Sequence, residues 1–237
     1  MPCNFGARPW HPHAGMNRAL PLFVSFWFLI LVCFAEASVT PYAGVIGGIA
    51  TLSADAGSQL TSSGLALSSY SPQNGGAINV FAGAHFHNYF SAQANYIWNE
   101  NDLLMSSASS DASTFYQQSR SSSQHALIAD FLIYFRKRGS RIRPYLATGT
   151  GVVHLSSTAK TVLRSGGSPV LPPSSFSSNR PVLRSHVGID VRLSSRLDFR
   201  YSFSETIGKN DISKHLSPPA PRRLANFQNL FGFVVRF

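Results

Sequence analysis

The closing stretch FQNLFGFVVRF (227–237) limits the fold of this chain more than any other segment. Phe231, Phe233, Val235 and Phe237 fall at every second position. That is the period of a β-strand, which turns all four to one face. The interleaved residues, Leu230, Gly232, Val234 and Arg236, are mixed in character and end in a charge. Free C-termini ordinarily fray and carry polar residues. A strand that ends on Phe237 predicts an apolar face with something to cover it.

Composition says what kind of cover to expect. Charged residues make up 13% of the chain, about half of the roughly 25% usual in soluble domains. The formal net charge is nevertheless +10, with a pI near 10.1. A soluble protein of 25.8 kDa normally clothes itself in Lys, Glu and Asp. This one uses Ser, Asn, Gln and Thr, and 12% of it is aromatic. A mean hydropathy of +0.01 rules out a bundle of membrane helices. Half-apolar strands joined by polar loops give such an average, so the chain reads as all-β.

The amino end is a different object. ALPLFVSFWFLILVCFA (19–35) is uncharged, follows Arg18 and leads into Ala35-Glu36-Ala37. A basic region, an apolar core and a small-x-small site describe a secretory signal peptide. The expected division is a leader over 1–37, with Met16 as an alternative start, and one β-domain over 38–237. An N-terminal anchor is the other reading, because the run sits near the lower limit for a span. A lipoprotein anchor at Cys33 is disfavoured by the bulk of Val32 before it. Cys3 and Cys33 both precede the cut. The mature chain would therefore hold neither disulfides nor thiolate zinc sites.

Period-two segments fall near 40–52, 76–84, 90–98, 123–135, 142–155, 182–192, 197–204 and 224–237. SQHALIADFLIYF shows the pattern best. Leu127, Ala129, Phe131, Ile133 and Phe135 share one face, while Gln124, Asp130 and Tyr134 share the other. The connections alternate as well. Long Ser-, Gly-, Asn- and Pro-rich ones cover about 53–75, 99–122, 156–181 and 205–223; short ones cover 85–89, 136–141 and 193–196. Eight strands with long loops at one end and tight turns at the other is the plan of a membrane barrel. A hidden hairpin in 99–122 or 156–181 would raise the count to ten. Closing the sheet satisfies every backbone group where lipid offers no partners.

These residues resemble the bacterial outer-membrane β-barrel superfamily, in its small eight-stranded members of the outer-membrane protein A and X type. The likeness rests on terminal Phe237 with Phe233 and Phe231, on HFHNYFSAQANYIW (85–98), on RPYLATGTG (143–151) and on a leader directly ahead of the first strand. It implies an eight-stranded antiparallel up-and-down transmembrane barrel. Its last strand, with Phe231, Phe233, Val235 and Phe237, would address the barrel-assembly machinery. Alternation alone also fits a secreted soluble barrel with its apolar side chains inward. Scarce charge, loop rhythm and the aromatic last residue favour the membrane.

Candidate functional residues follow from that plan. Asp130, Arg184, His186, Asp190, Arg192, Asp198, Arg200, Gln228 and Arg236 are expected to face the lumen. Buried charges there require partners: Asp130 or Asp198 with Arg200 or Arg236. A satisfied polar core is favoured over an ion path. Arg136, Lys137, Arg138 and Arg141 form a basic turn placed to meet anionic headgroups. Lys160, Arg164, Lys209, Lys214, Arg222 and Arg223 lie at the other rim, within reach of lipopolysaccharide phosphates. A nucleic-acid partner, the usual inference from such a pI, is set aside because the leader exports the chain.

Catalysis has a weak case. Outer-membrane lipid A deacylases, similar in outline, carry His-x-Ser-Asn on a late strand; YSFSETIGKND (201–211) has no His. The His-x-Ser considered as a catalytic pair is His154-Leu155-Ser156, with no acid near it in sequence, though a fold could bring Glu205 or Asp211 close. His85 and His87 make a poor metal pair without a further ligand. The expectation is a monomeric, non-enzymatic outer-membrane barrel without cofactor or metal, working in surface contact, adhesion or envelope integrity. The alternatives are a lipid A-modifying hydrolase and a secreted ligand-binding barrel.

Overall fold

The computed structural model describes residues 39–52, 59–60, 66–109, 115–165, 171–215 and 223–237. The expected leader, both cysteines, Met16 and Arg222 lie outside them. The strands are β1 (Thr40–Leu52), β2 (Gln59–Leu60), β3 (Ala66–Pro72), β4 (Gly75–His85), β5 (Phe90–Ser109), β6 (Phe115–Tyr134), β7 (Ile142–Ser165), β8 (Ser175–Arg192), β9 (Leu197–Lys209) and β10 (Arg223–Arg236). A 3-10 turn spans Ser213–His215.

All ladders are antiparallel, and the sheet closes on itself. β1 pairs with β10 from Tyr42↔Arg236 to Leu52↔Asn226, and β5 pairs with β6 from Phe90↔Ile133 to Ala108↔Phe115. The Phe237 amide donates to the Pro41 carbonyl at 3.0 Å, so the last residue is held by the first strand. β3 and β4 both pair with β5 and are broken only at Gln73-Asn74. They form one staff of the wall, and β2 adds a short rung to β3. The barrel therefore has eight staves.

Alternation sorts each stave into an inner and an outer row. On β6, Leu127, Phe131 and Ile133 face out and are exposed, and Phe135 just beyond the strand continues that row. Ile128, Asp130, Leu132 and Tyr134 face in and are buried. From Phe135 to Leu127, a strand tilted by about 40° climbs about 21 Å, approaching the roughly 25 Å apolar belt of membrane barrels. Phe231, Phe233, Val235 and Phe237 join the same exposed belt. Chain turns at 86–89, 135–141 and 193–196 close one end.

Several expected loops prove to be strand. β5 continues to Ser109, β6 begins at Phe115, β7 reaches Ser165 and β8 begins at Ser175. The segments 99–122 and 156–181 thus lengthen existing staves instead of adding a hairpin. On β6 and β8 their outer residues are Gln117, Ser119, Ser121, Ser175, Ser177 and Asn179, which hid the strand pattern. Their inner residues still alternate, with Leu103, Met105, Tyr116, Leu155 and Phe176 buried together with Leu52, Ile212 and Leu224.

Candidate functional site

The interior has two storeys. The lower one, nearer the tight turns, is a continuous hydrogen-bonded network. Asp130 receives Arg184 Nη1 at 2.8 Å and Asn95 Nδ2 at 2.9 Å, and His186 Nε2 lies 3.0 Å away. Asp190 is clamped by Arg200, with Nε donating at 2.6 Å to one oxygen and Nη2 at 2.7 Å to the other. Tyr134 donates to the same carboxylate at 2.9 Å. Gln93 bridges the two centres, accepting from Arg200 at 3.0 Å and donating to Asn95 at 2.8 Å. Tyr42 on β1 donates to Gln93 at 3.1 Å. Bidentate geometry of this kind is what allows charges to persist in a dry interior.

Small residues in the wall make room for it. Gly149 sits opposite Asp130 in the ladder, and a Cβ there would lie 2.0 Å from Asp130 Oδ1. A Cβ at Gly188 would lie 2.4 Å from the Tyr145 hydroxyl. Gly149 of RPYLATGTG thus belongs to the polar core as well as to the wall.

The expected lumen residues divide. Asp198 pairs with Arg236 at 3.0 Å, near the turn end. Asp130 pairs with Arg184 and not with Arg200 or Arg236, because Arg200 is committed to Asp190, directly opposite it in the β8–β9 ladder, and Arg236 to Asp198. Gln228 is buried and accepts from Ser204 at 3.2 Å. Arg192 stays outside the network: its guanidinium donates to the Gly139 carbonyl at 2.9 Å and to that of Arg138. Arg138 is in turn half-buried and donates to Thr40 Oγ1 at 2.6 Å. Arg136, Lys137 and Arg141 remain exposed on the turn.

Among the described residues, the upper storey is an apolar core into which Arg120 and Arg180 are buried. Arg120 is fully buried and donates from Nε to Ser157 Oγ at 3.0 Å, from Nη1 to the Pro173 carbonyl at 2.8 Å and from Nη2 to the Ser157 carbonyl at 3.1 Å. Its guanidinium lies 4.6 Å above the Phe176 ring, on which His215 stacks at 4.2 Å. Segments 171–174 and 210–215 thereby fold over the wide end. Asp211 is held below the usual carboxylate range: burial opposes this, but hydrogen bonds from Lys214 and Ser178 and nearby positive charge outweigh it. Sequence reasoning passed over Arg120, because RSSSQ reads as a polar loop.

No catalytic constellation forms at His154 and Ser156. The His154 Nδ1 faces the Asn179 amide oxygen at 2.7 Å, not a carboxylate. Glu205 lies opposite Ser185, which lies opposite Thr148, well down the wall from His154. Asp211 is engaged by Lys214. His85 is buried against Tyr42, with ring centroids 4.7 Å apart, while His87 is exposed on the turn, so the two do not share a ligand position.

A closed eight-stave wall with an apolar belt outside and ion pairs inside decides the class. The model of the outer membrane protein beta-barrel domain matches residues 25–228. The chain belongs to this family. Membership places it in the bacterial outer membrane; barrels of this kind keep short turns periplasmic and longer connections extracellular. Neisserial surface protein A has the same fold at 13% identity and a TM-score of 0.50, over 84% of this chain and 99% of that one. The outer-membrane protein OprG of Pseudomonas aeruginosa aligns at 11% identity and 0.47, over 85% and 96%. Ail, the attachment invasion locus protein of Yersinia pestis, aligns at 12% and 0.45, over 85% and 99%. No curated protein matches the chain.

Proposed function

We propose that this barrel is a non-enzymatic surface protein whose extracellular staves make contacts outside the cell. One observation carries the reading. β5, β6 and β7 run on past the apolar belt as a paired sheet, and from His154 to Ser165 a strand of the same tilt rises about 28 Å further. Beyond Thr158, β7 has β6 alone as a ladder neighbour among the described residues. A rigid sheet with an open edge and exposed Lys160, Thr161 and Arg164 suits adhesion better than transport, since the lumen beneath it is filled. Outer-membrane lipid and lipopolysaccharide would surround the belt. The barrel-assembly machinery would engage the strand carrying Phe231, Phe233, Val235 and Phe237. The barrel works as a monomer, needs no cofactor and takes no nucleic-acid partner.

The test is adherence. Cells of a non-adherent laboratory strain displaying the chain should bind host-cell or matrix-coated surfaces. A variant that joins β5 to β6 and β7 to β8 just above the belt should keep the folded barrel and lose binding. Equal adherence by both, or by neither, would refute the reading. Deacylation of lipid A by the purified chain, abolished by Ser156→Ala, would establish the hydrolase instead.

A further inference from the structure

We infer that His125 and His154 form a divalent transition-metal site on the outer wall, at the extracellular rim of the apolar belt. The two residues lie directly opposite each other in the β6–β7 ladder. Residues so opposed have Cβ atoms about 4.5–5.5 Å apart on one face of the sheet. Both belong to the outward row: Leu127 and Val152, exposed and apolar, sit two positions below them, and Ser123 and Ser156 two positions above. The pair therefore stands where the belt gives way to water.

What distinguishes it from two chance neighbours is how each ring is held. His125 Nδ1 is 2.7 Å from the Tyr96 hydroxyl on β5. His154 Nδ1 is 2.7 Å from Asn179 Oδ1 on β8. An amide oxygen only accepts, so His154 carries its proton on Nδ1 and keeps the Nε2 lone pair free. The Tyr96 hydroxyl can accept from His125 in the same way. The two nitrogens of an imidazole project toward opposite flanks of the ring. With each Nδ1 engaged by a neighbouring stave, β5 or β8, each Nε2 is the ring nitrogen left for an ion. Two imidazoles, each oriented by a hydrogen bond behind it, are the arrangement found around bound metals.

The donor set selects the class of ion. Imidazole nitrogens at about 2.0–2.1 Å suit zinc, and on affinity copper(II) should bind more tightly than nickel or zinc. Among the described residues no group of three or more His, Cys, Asp or Glu supplies a closed cage. The site is open, with its other positions left to water or to a headgroup phosphate. An open two-histidine site captures and releases an ion; it does not hold a structural one.

The chain refolded in detergent, titrated with copper(II) and then zinc at pH 7.5, tests this. The expected result is a single micromolar site whose copper(II) EPR spectrum shows coupling to two imidazole nitrogens. His125→Asn and His154→Asn should each remove one nitrogen and weaken binding at least tenfold, and Asn179→Leu should weaken it by about tenfold through loss of ring orientation. Other histidines are common to all four chains, so the differences read this pair. Cold-versus-boiled gel mobility confirms that each variant is folded, and the wild-type EPR spectrum alone suffices if one is not. Copper binding that is unchanged in both His125→Asn and His154→Asn, or a wild-type spectrum without two coupled nitrogens, would overturn the assignment. The pair would then be part of the interfacial ring belt with Tyr96 and Trp98.

Discussion

The two storeys of the barrel solve opposite solvent problems with one set of strands. In the lower storey the outer row meets lipid, so Phe131, Ile133 and Leu127 face out and Asp130, Asp190 and Arg200 face in. In the upper storey the outer row meets water, so Ser119, Ser121 and Ser123 face out and Leu103, Met105 and Tyr116 fill the inside. β6 passes from one regime to the other without losing its period of two. What changes is the outer row, apolar against lipid below and polar against water above, while Ile46, Phe81, Leu132 and Leu230 stay buried inside the lower storey. The lower storey thus adds specific ion pairs to its apolar contacts and the upper relies mainly on burial, and substitutions should separate the two.

The largest effect belongs to the lower storey. Arg200→Met leaves Asp190 without its clamp, and breaking one side of a buried pair costs about 3–5 kcal/mol. Urea unfolding followed by gel mobility should show that loss, and Asp190→Leu combined with Arg200→Met should recover much of it. If the single variant unfolds like the wild type, ion pairing is not what holds this storey together.

Gly149→Ala comes next. Its Cβ would meet Asp130 Oδ1 and the Ala129 carbonyl, at 2.0 and 2.4 Å, and overpacking of this kind costs about 1–3 kcal/mol. The Asp130–Arg184 pair must shift to admit it, so the same unfolding assay should move in the same direction by a smaller amount. Gly76→Ala, where a Cβ meets nothing within 4 Å, is the control.

How much of this contrast was legible follows from the same physics. The eight staves, the tight turns and the outward Phe231, Phe233, Val235 and Phe237 could be read because apolar alternation against lipid leaves a strong pattern. The Asp198–Arg236 pair was within reach, since parity places both side chains inside. The choice of Arg184 for Asp130 was not, because partner choice depends on register between strands that sequence spacing does not give. The upper staves were read as loops: Ser and Gln on a water-facing row look like connections, and the inner Leu103, Met105 and Tyr116 are too widely spaced in a polar background to stand out. Arg120, with carbonyl partners contributed by 171–174, leaves no local signal at all. His125 and His154 become neighbours only through the β6–β7 register.

In the upper storey, Arg120→Met should loosen the cover without opening the barrel. It removes the donors to the Pro173 and Ser157 carbonyls but keeps an apolar stem against Phe176. Each buried acceptor so stranded costs about 1–3 kcal/mol. Limited proteolysis should cut near 171–174 more readily while cold-versus-boiled mobility stays unchanged. Loss of the mobility shift would mean that the storeys are not separable.

The smallest effect is a pH dependence of the same cover. Burial first, and then the charge of Arg120, hold the His215 imidazole below its ordinary pKa. The unfolded segment takes up a proton at about pH 6.5, before the folded one does, so stability is complete above that value and declines as pH falls below it. Cleavage near 210–215 should therefore be easier at pH 5.5 than at pH 7.5, and His215→Phe should remove the difference. A dependence of opposite sign would contradict the stacking of a neutral ring on Phe176.

The central claim is that the lower wall is inside out, and residues 127–135 test it most directly. Residues 38–237 contain no cysteine, so single cysteines can be placed at each of these positions and spin-labelled in liposomes. Labels at 127, 129, 131, 133 and 135 should collide freely with oxygen dissolved in the lipid, and those at 128, 130, 132 and 134 should be shielded from it. The reverse parity, or no contact with lipid at any position, would make this a soluble barrel with its apolar face inward.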